Sequence, residues 1–199
     1  MKKTLTTFIH DIKPRTLILM CGLPGTFKTG IAMEISKVKG FPVLQTDIIR
    51  REVLRNEDIF DEKVASNMSK RELVYYEMFR RAEDLAKNSE GLILDATFVT
   101  QKLRKIAAKI AAKCDMTLAI IQTRCLDKVA INRILNRAKA GSPSNAITKQ
   151  AYLNNKKIFE PVDLNDLKRD NPNLKILHVI VDTNHGKLSE FYVTSLMEK

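Results

Sequence analysis

The sequence has no tryptophan, only three cysteines and only three histidines in 199 residues. Cys21, Cys114 and Cys125 are an odd set without a C-x-x-C pair. That pattern suits reduced cytosolic thiols and excludes a secreted disulfide framework or a zinc site. His10 and His185 lack spaced partners that would make a metal site, and His178, inside an apolar run, reads as a core histidine. No apolar run approaches the roughly 20 residues that a membrane span requires. Lys2 and Lys3 open the chain, but Asp11, Lys13 and Arg15 interrupt any signal-peptide core. A soluble cytoplasmic protein with no membrane partner is expected. Seven glycines and six prolines, with 44% hydrophobic and 29% charged residues, exclude collagen, coiled coil and disorder as the main theme. The length, with no repeat, linker or low-complexity segment, predicts one domain over residues 1–199.

Positive charge is what the chain has in excess. Lysine and arginine number 34 against 23 acidic residues, a formal charge of +11. Such a balance fits a polyanionic partner, either nucleotide phosphates or nucleic acid, as well as it fits a merely basic soluble protein.

Strand and helix patterns alternate along the chain, the signature of a parallel α/β sheet. Thr16 to Cys21 is a short apolar run ending in glycine, a buried-strand pattern. Ile31, Ile35 and Val38 then recur at helical spacing, and Gly40 closes that helix. Pro42 to Thr46 predicts a second strand, and a charged helical stretch follows it. Ser69 and Glu72 form a possible capping box. The helix it opens carries Val74, Tyr75, Met78, Ala82 and Leu85 on one face, which makes Tyr75 a core residue and Tyr76 a surface one. Leu92 to Asp95 is a third strand. Leu103, Ile106, Ala107 and Ile110 make an apolar helical stripe opposite Lys102, Lys105 and Lys109. Met116 to Thr123 is a fourth strand, Leu126 to Ala140 a helix, Gly141 to Asn145 a turn, and another polar helix follows. Leu174 to Asp182 is a fifth strand, and a helix is expected after Gly186.

The strongest local signal is Gly22-Leu23-Pro24-Gly25-Thr26-Phe27-Lys28-Thr29, followed by Gly30, between a buried strand and a helix. In that context backbone N–H groups at a helix N-terminus wrap phosphates. Lys28 is placed to reach the β- and γ-phosphates, and the Thr29 hydroxyl to ligate Mg²⁺. Phe27 departs from the pattern G-x-x-x-x-G-K-[ST], which has glycine before the lysine. A side chain there restricts the backbone. No G-x-G-x-x-G opens the helix, which disfavours a Rossmann fold.

Open α/β sheets bind ligands at the carboxyl ends of their strands. Asp47 falls at the second of these ends with Arg50 three residues on, so one helical turn sets both toward the phosphate loop. The carboxylate can accept the proton of an attacking hydroxyl; the arginine can bind phosphate or offset charge on a transferred phosphoryl group. Alternatively the pair is an N-cap aspartate with a solvated arginine. Asp95 ends the third strand, placed to act on Mg²⁺ directly or through water. Ala96 and Thr97 follow it where a motor ATPase has a water-activating carboxylate, so transfer is favoured over hydrolysis. On the helix from 126, Arg133 and Arg137 lie at i and i+4. They fit either a solvated basic face or a lid closing over ATP, hinged at the 141–145 turn.

Taken together, GLPGTFKT, TDIIR, LILDAT, NRILNR, SNA and Phe159-Glu160-Pro161 resemble the P-loop kinases of the AAA type, relatives of the zeta-toxin and polynucleotide 5′-hydroxyl kinases. The resemblance spans about Thr16 to Pro161. It implies the P-loop nucleoside-triphosphate-binding fold: a five-stranded parallel sheet, helices on both faces and an arginine-bearing lid over about 126–160. It also implies ATP with Mg²⁺ as donor, Lys28 and Thr29 on the donor phosphates and Asp47 as general base. Arg50 would sit near the acceptor, and Arg133 or Arg137 would be the lid arginine. Phe27 departs from the family pattern, as does Asn145, where relatives often have aspartate. The leading expectation is an ATP-dependent kinase acting on a hydroxyl of a small metabolite or a nucleic-acid 5′-end. The alternatives are an ATP-binding module with little turnover and a basic nucleic-acid-binding protein that uses the loop as a phosphate clamp.

Overall fold

The computed structural model describes residues 3–59, 61, 64, 67–139, 144 and 146–199. Its strands are β1 (Thr16–Cys21), β2 (Val43–Gln45), β3 (Gly91–Asp95), β4 (Thr117–Arg124), β5 (Ile176–Asp182) and β6 (Tyr192–Glu198). Its helices are α1 (Leu5–Asp11), α2 (Lys28–Lys39), α3 (Thr46–Val53), α4 (Met68–Ala86), α5 (Gln101–Lys113), α6 (Asp127–Lys139), α7 (Lys149–Lys157) and α8 (Leu164–Asp170). They build an α/β sandwich on one sheet of order β2-β3-β1-β4-β5-β6.

Five strands are parallel, as their apolar runs predict, because both faces of such a sheet are buried. Leu17, Leu19 and Cys21 of β1 face a core built from α3, α4, α5 and α8, while Ile18 and Met20 face the opposite core with α1 and α2. Period-two alternation thus welds two helical layers through one strand. The register aligns Met20 of β1 with Asp95 of β3, and Gln45 of β2 with the same aspartate. The carboxyl ends of β1, β2 and β3 therefore meet at one rim, beside the point where the strand order reverses.

Several expectations need correction. The sheet has six strands, not five: the tail after Gly186 forms a 3₁₀ turn at Leu188–Glu190 and the strand β6, antiparallel to β5, in place of a helix. The aromatic and β-branched run Phe191-Tyr192-Val193-Thr194 favours a pleated edge over a helix. The Ser69/Glu72 capping box is not the start of α4. That helix begins earlier, with the Asn67 side chain accepting from the Lys70 N–H. On α5 the buried face carries Arg104, Ala107, Ala108, Ile110 and Ala111, whereas Leu103 and Ile106 are only partly covered. Gly40, at φ 71°, closes α2 as expected, its N–H donating to the Ser36 carbonyl. Ala140, Gly141, Ser142, Pro143 and Asn145, which include the expected hinge, lie outside the described residues. Among the described residues, no helix is long and apolar enough to cross a membrane.

Candidate active site

The loop between β1 and α2 is shaped by its glycines. Gly22 (φ 136°) and Gly25 (φ 77°) take left-handed conformations that L side chains rarely adopt. A Cβ on Gly22 would lie 2.7 Å from the Thr123 carbonyl oxygen, and one on Gly25 2.4 Å from that of Ala130. Thr26 braces the loop: its hydroxyl lies 2.6 Å from that of Thr123, and its carbonyl accepts from the Thr183 hydroxyl at 3.1 Å.

Phe27 takes the conformation that a glycine would, φ 70° and ψ 22°, as the cap residue of α2. Left-handed backbone costs a non-glycine residue about 1–2 kcal/mol. The ring offsets this by packing. It meets Phe191 edge-on at 5.2 Å, and the Arg133 guanidinium lies 5.4 Å from its centroid. It also occupies the space above Gly30, where a Cβ would fall 2.2 Å from a ring carbon. The absence of a side chain at residue 30 is what leaves room for the ring at residue 27. The α2 N-terminus carries no side-chain cap, so its first N–H groups are open to an anion.

A cavity of about 700 Å³ opens at the rim of β1, β2 and β3, and Lys28, Thr29, Asp47, Arg50, Asp95 and Arg137 all line it. The Lys28 ammonium donates to the Leu23 carbonyl at 2.8 Å. Burial pulls its pKa down to about 8 against the opposing pull of Asp95. Burial pushes the Asp95 carboxyl above the usual range, and the Asp47 charge adds to this, while a Thr29 hydrogen bond and Lys28 oppose it. Gln45 Nε2 lies 3.4 Å from Asp95 Oδ2. Burial likewise raises Asp47, opposed first by Arg50 and then by a Ser144 hydrogen bond.

The two arginines of α6 part company. Arg137 lines the cavity and bears electrostatically on Lys28, Asp47 and Asp95. Arg133 lies on the other side of the loop, where its guanidinium donates to the carbonyls of Gly25 (3.4 Å), Thr183 (2.7 Å) and His185 (2.5 Å). Beside it a shallower depression of about 310 Å³ is lined by Phe27, Arg133, Asn136 and Arg137. Tyr75 and Tyr76 fall as expected, the first buried and the second exposed. His178 is buried, with Nε2 3.0 Å from Gln122 Oε1 and its pKa lowered to about 4 by burial.

Sequence reasoning missed other cavity residues: Arg71 and Tyr75 from α4, Thr97 after β3, and Asn154, Asn155 and Lys157 from α7. Apart from Thr97, which closes the LILDAT motif, each comes from an element distant in sequence and sits in no motif. It also missed Arg104, wholly buried on α5. Arg104 donates to the carbonyls of Phe98, Val99, Glu160 and Pro161 and lies 5.3 Å from the Phe159 ring centroid. The Phe159-Glu160-Pro161 motif is thereby pinned to the loop after β3.

The residues present fit a nucleoside triphosphate with Mg²⁺. The glycine-shaped loop, the uncapped helix end and a buried ammonium form an anion cradle. Among the described residues no cluster of three or more His, Cys, Asp or Glu could cage a metal. Thr29 with Asp95 is instead the sparse oxygen set that Mg²⁺ takes when phosphate oxygens and water complete its shell.

A family model described as an AAA domain matches residues 17–161. Uncharacterized proteins of Mycobacterium tuberculosis and Mycobacterium bovis are 32% identical over 138 residues, covering 65% of this chain and 27% of theirs. The chain thus spans about a quarter of the length of these relatives. Among solved structures, a gluconokinase from Sinorhizobium meliloti superposes with TM-score 0.61 at 17% identity, covering 90% of this chain and 88% of its own. A sugar kinase from Janibacter sp. gives 0.62 at 14%, covering 87% of each chain. Kti12 from Chaetomium thermophilum, in complex with ADP-AlF3, gives 0.56 at 14%, covering 74% and 81%. These likenesses establish a shared fold.

Proposed function

The chain belongs to the AAA-domain family, and from that premise we propose that it is an ATP-dependent kinase that phosphorylates a hydroxyl acceptor. One observation carries the reading. Lys28, which suits a donor phosphate, and Asp47, which suits a hydroxyl proton, open into one cavity, with Ala96 and Thr97 lining it beside Asp95. A carboxylate for activating water is not offered at that place.

In this reading the donor polyphosphate lies along the loop and the uncapped start of α2, with Lys28 leaving the Leu23 carbonyl for the β- and γ-oxygens. The depression beside Phe27 and Arg133 adjoins the cavity through Arg137 and suits the nucleoside end. Thr29 and Asp95 would hold Mg²⁺, which would supply charge neutralisation on the donor phosphates. Asp47, its pKa raised by burial, accepts the acceptor's proton as the oxygen attacks. Arg137 offsets charge on the transferred group. The alternative is an ATP-binding module with little turnover; the glycine-like backbone of Phe27, φ 70° and ψ 22°, supports the kinase reading over it.

Lys28→Ala should abolish stabilisation by Mg-ATP in a thermal shift. Asp47→Asn should keep ATP affinity while slowing single-turnover transfer by about 10²–10⁴, the usual contribution of a positioned base. Unchanged ATP affinity in Lys28→Ala, measured by calorimetry, would defeat the assignment.

A further inference from the structure

The cavity already holds a hydroxyl at the carboxylate that suits an acceptor's proton. Ser144 lines it together with Lys28, Thr29, Asp47, Asp95 and Arg137. Its hydroxyl donates to the Asp47 carboxylate, and its Oγ accepts in turn from the Ala146 N–H at 3.4 Å. Other hydroxyls on the cavity wall are turned to other partners. Thr46 donates to the Asp95 carbonyl at 3.5 Å, and Thr148 accepts from the Ala151 N–H as the cap of α7. The hydroxyls of Tyr75 and Thr97 lie 3.3 Å from one another, and that of Thr29 bonds Asp95. A serine hydroxyl held on a carboxylate base is the arrangement of an activated nucleophile. Lys28 and Arg137 both bear electrostatically on Asp47. Such cations offset the charge that builds on a phosphoryl group in transfer.

Taking the kinase reading as its basis, we propose that the protein phosphorylates itself, with Ser144 as the acceptor whenever no external hydroxyl displaces it from Asp47. The Ser144 oxygen attacks the γ-phosphorus of ATP while its proton passes to Asp47. The bond from that phosphorus to the β,γ-bridging oxygen breaks, and ADP leaves with the electron pair. One phosphoester forms for each phosphoanhydride lost, and Mg-ATP is the one co-reactant. Because the chain itself delivers the hydroxyl, the step is intramolecular and needs no association of two molecules. It also ends itself. Phosphorylation consumes the hydroxyl, and the phosphoserine sets a charge of about −1.5 to −2 in front of Asp47, in the place an external acceptor takes. Self-transfer therefore closes the site to other acceptors.

The test strips the full chain with phosphatase, removes the phosphatase and adds Mg-ATP with no acceptor. Intact mass should rise by a single phosphoryl group, and fragment masses should place it on Ser144. ADP should appear as a burst of one equivalent per chain and then stop. The rate should hold on hundredfold dilution of the protein, as an intramolecular step requires. Ser144→Ala should take up no phosphoryl group while keeping its thermal shift with Mg-ATP. Asp47→Asn should slow incorporation by about 10²–10⁴. Lys28→Ala should stay unmodified even when mixed with wild type. Wild type that leaves purification already carrying the group at Ser144, where Lys28→Ala does not, is the same result. No incorporation, incorporation at another residue or in Ser144→Ala, or a wild-type rate in Asp47→Asn overturns self-transfer. Modification of Lys28→Ala in the mixture overturns it in favour of transfer between molecules. Where Mg-ATP still stabilises the protein, loss of self-transfer leaves the kinase reading standing. Absence of that stabilisation overturns both.

Discussion

At the residue scale, the loop lysine is held in tension. Burial lowers Lys28 to about 8, whereas a bound polyphosphate favours its charged form. The free protein therefore takes up a proton on binding nucleotide above that pH, and affinity falls as pH rises through it. The dissociation constant of Mg-ATP should change little from pH 6.5 to 7.5, then rise by up to about tenfold per unit, the factor one proton confers. Calorimetry at pH 9 in two buffers of different ionisation enthalpy should register the proton uptake, and a flat profile to pH 9.5 would refute it. Phe27 and Gly30 pose a second residue-scale test. Gly30→Ala alone sets a methyl against the Phe27 ring and should destabilise the fold. With Phe27→Gly present, the same substitution should be neutral or stabilising, because alanine in a helix gains about 0.5–1 kcal/mol over glycine. Urea denaturation of the four proteins measures the coupling, and additive effects would mean the ring and Gly30 are independent.

At the scale of elements, Arg104 ties the end of α7 to the body of the fold through backbone carbonyls of residues 98–99 and 160–161. Arg104→Met keeps the bulk but removes the charged donor from the Phe98, Glu160 and Pro161 carbonyls, each lost bond costing about 1–3 kcal/mol. A loss of at least about 3 kcal/mol in urea denaturation is expected, with earlier proteolysis in 149–161; wild-type values would make the clamp incidental. This contact also marks where sequence reading stops. Strands β1 to β5, the phosphate loop, Asp47 with Arg50, and Asp95 were legible because each is a local pattern: an apolar run, a spacing, a carboxylate at a strand end. Arg104 looked like one more cation of a lysine-rich helix, since its partners lie 56–57 residues away at Glu160 and Pro161. Arg71 and Asn155 meet across 84 residues, which no spacing announces. The strand β6 is hidden in the sequence because, after Val193, its residues face largely outward at a sheet edge, which blurs the period-two signal.

At the scale of the whole molecule, the fold gathers its strained ionisable groups at one rim, where β1, β2 and β3 end. Asp95 and Asp47 are pushed up and Lys28 down, so burial at the rim disfavours each in its charged form. A carboxyl raised above its unfolded value of 3.8 contributes stability while protonated and loses it as pH climbs through the folded value. The ligand-free protein should therefore be more stable at mildly acidic pH than these groups allow at neutrality, and removing one charge should stabilise it. Asp95→Asn keeps the shape and should raise the melting temperature of the ligand-free protein at pH 7.5 by about 2–4 °C, the shift that ~1 kcal/mol makes at this chain length. In the proposed kinase site the same substitution would remove an oxygen ligand from the Mg²⁺ set. Its cost should therefore appear as a smaller stabilisation by Mg-ATP, normally about 2.7 kcal/mol at a hundred times the dissociation constant. Scanning calorimetry with and without Mg-ATP separates the two effects. A ligand-free melting temperature below wild type would show that Asp95 is a structural partner of Lys28 and Thr29, and that the rim is not held under electrostatic strain.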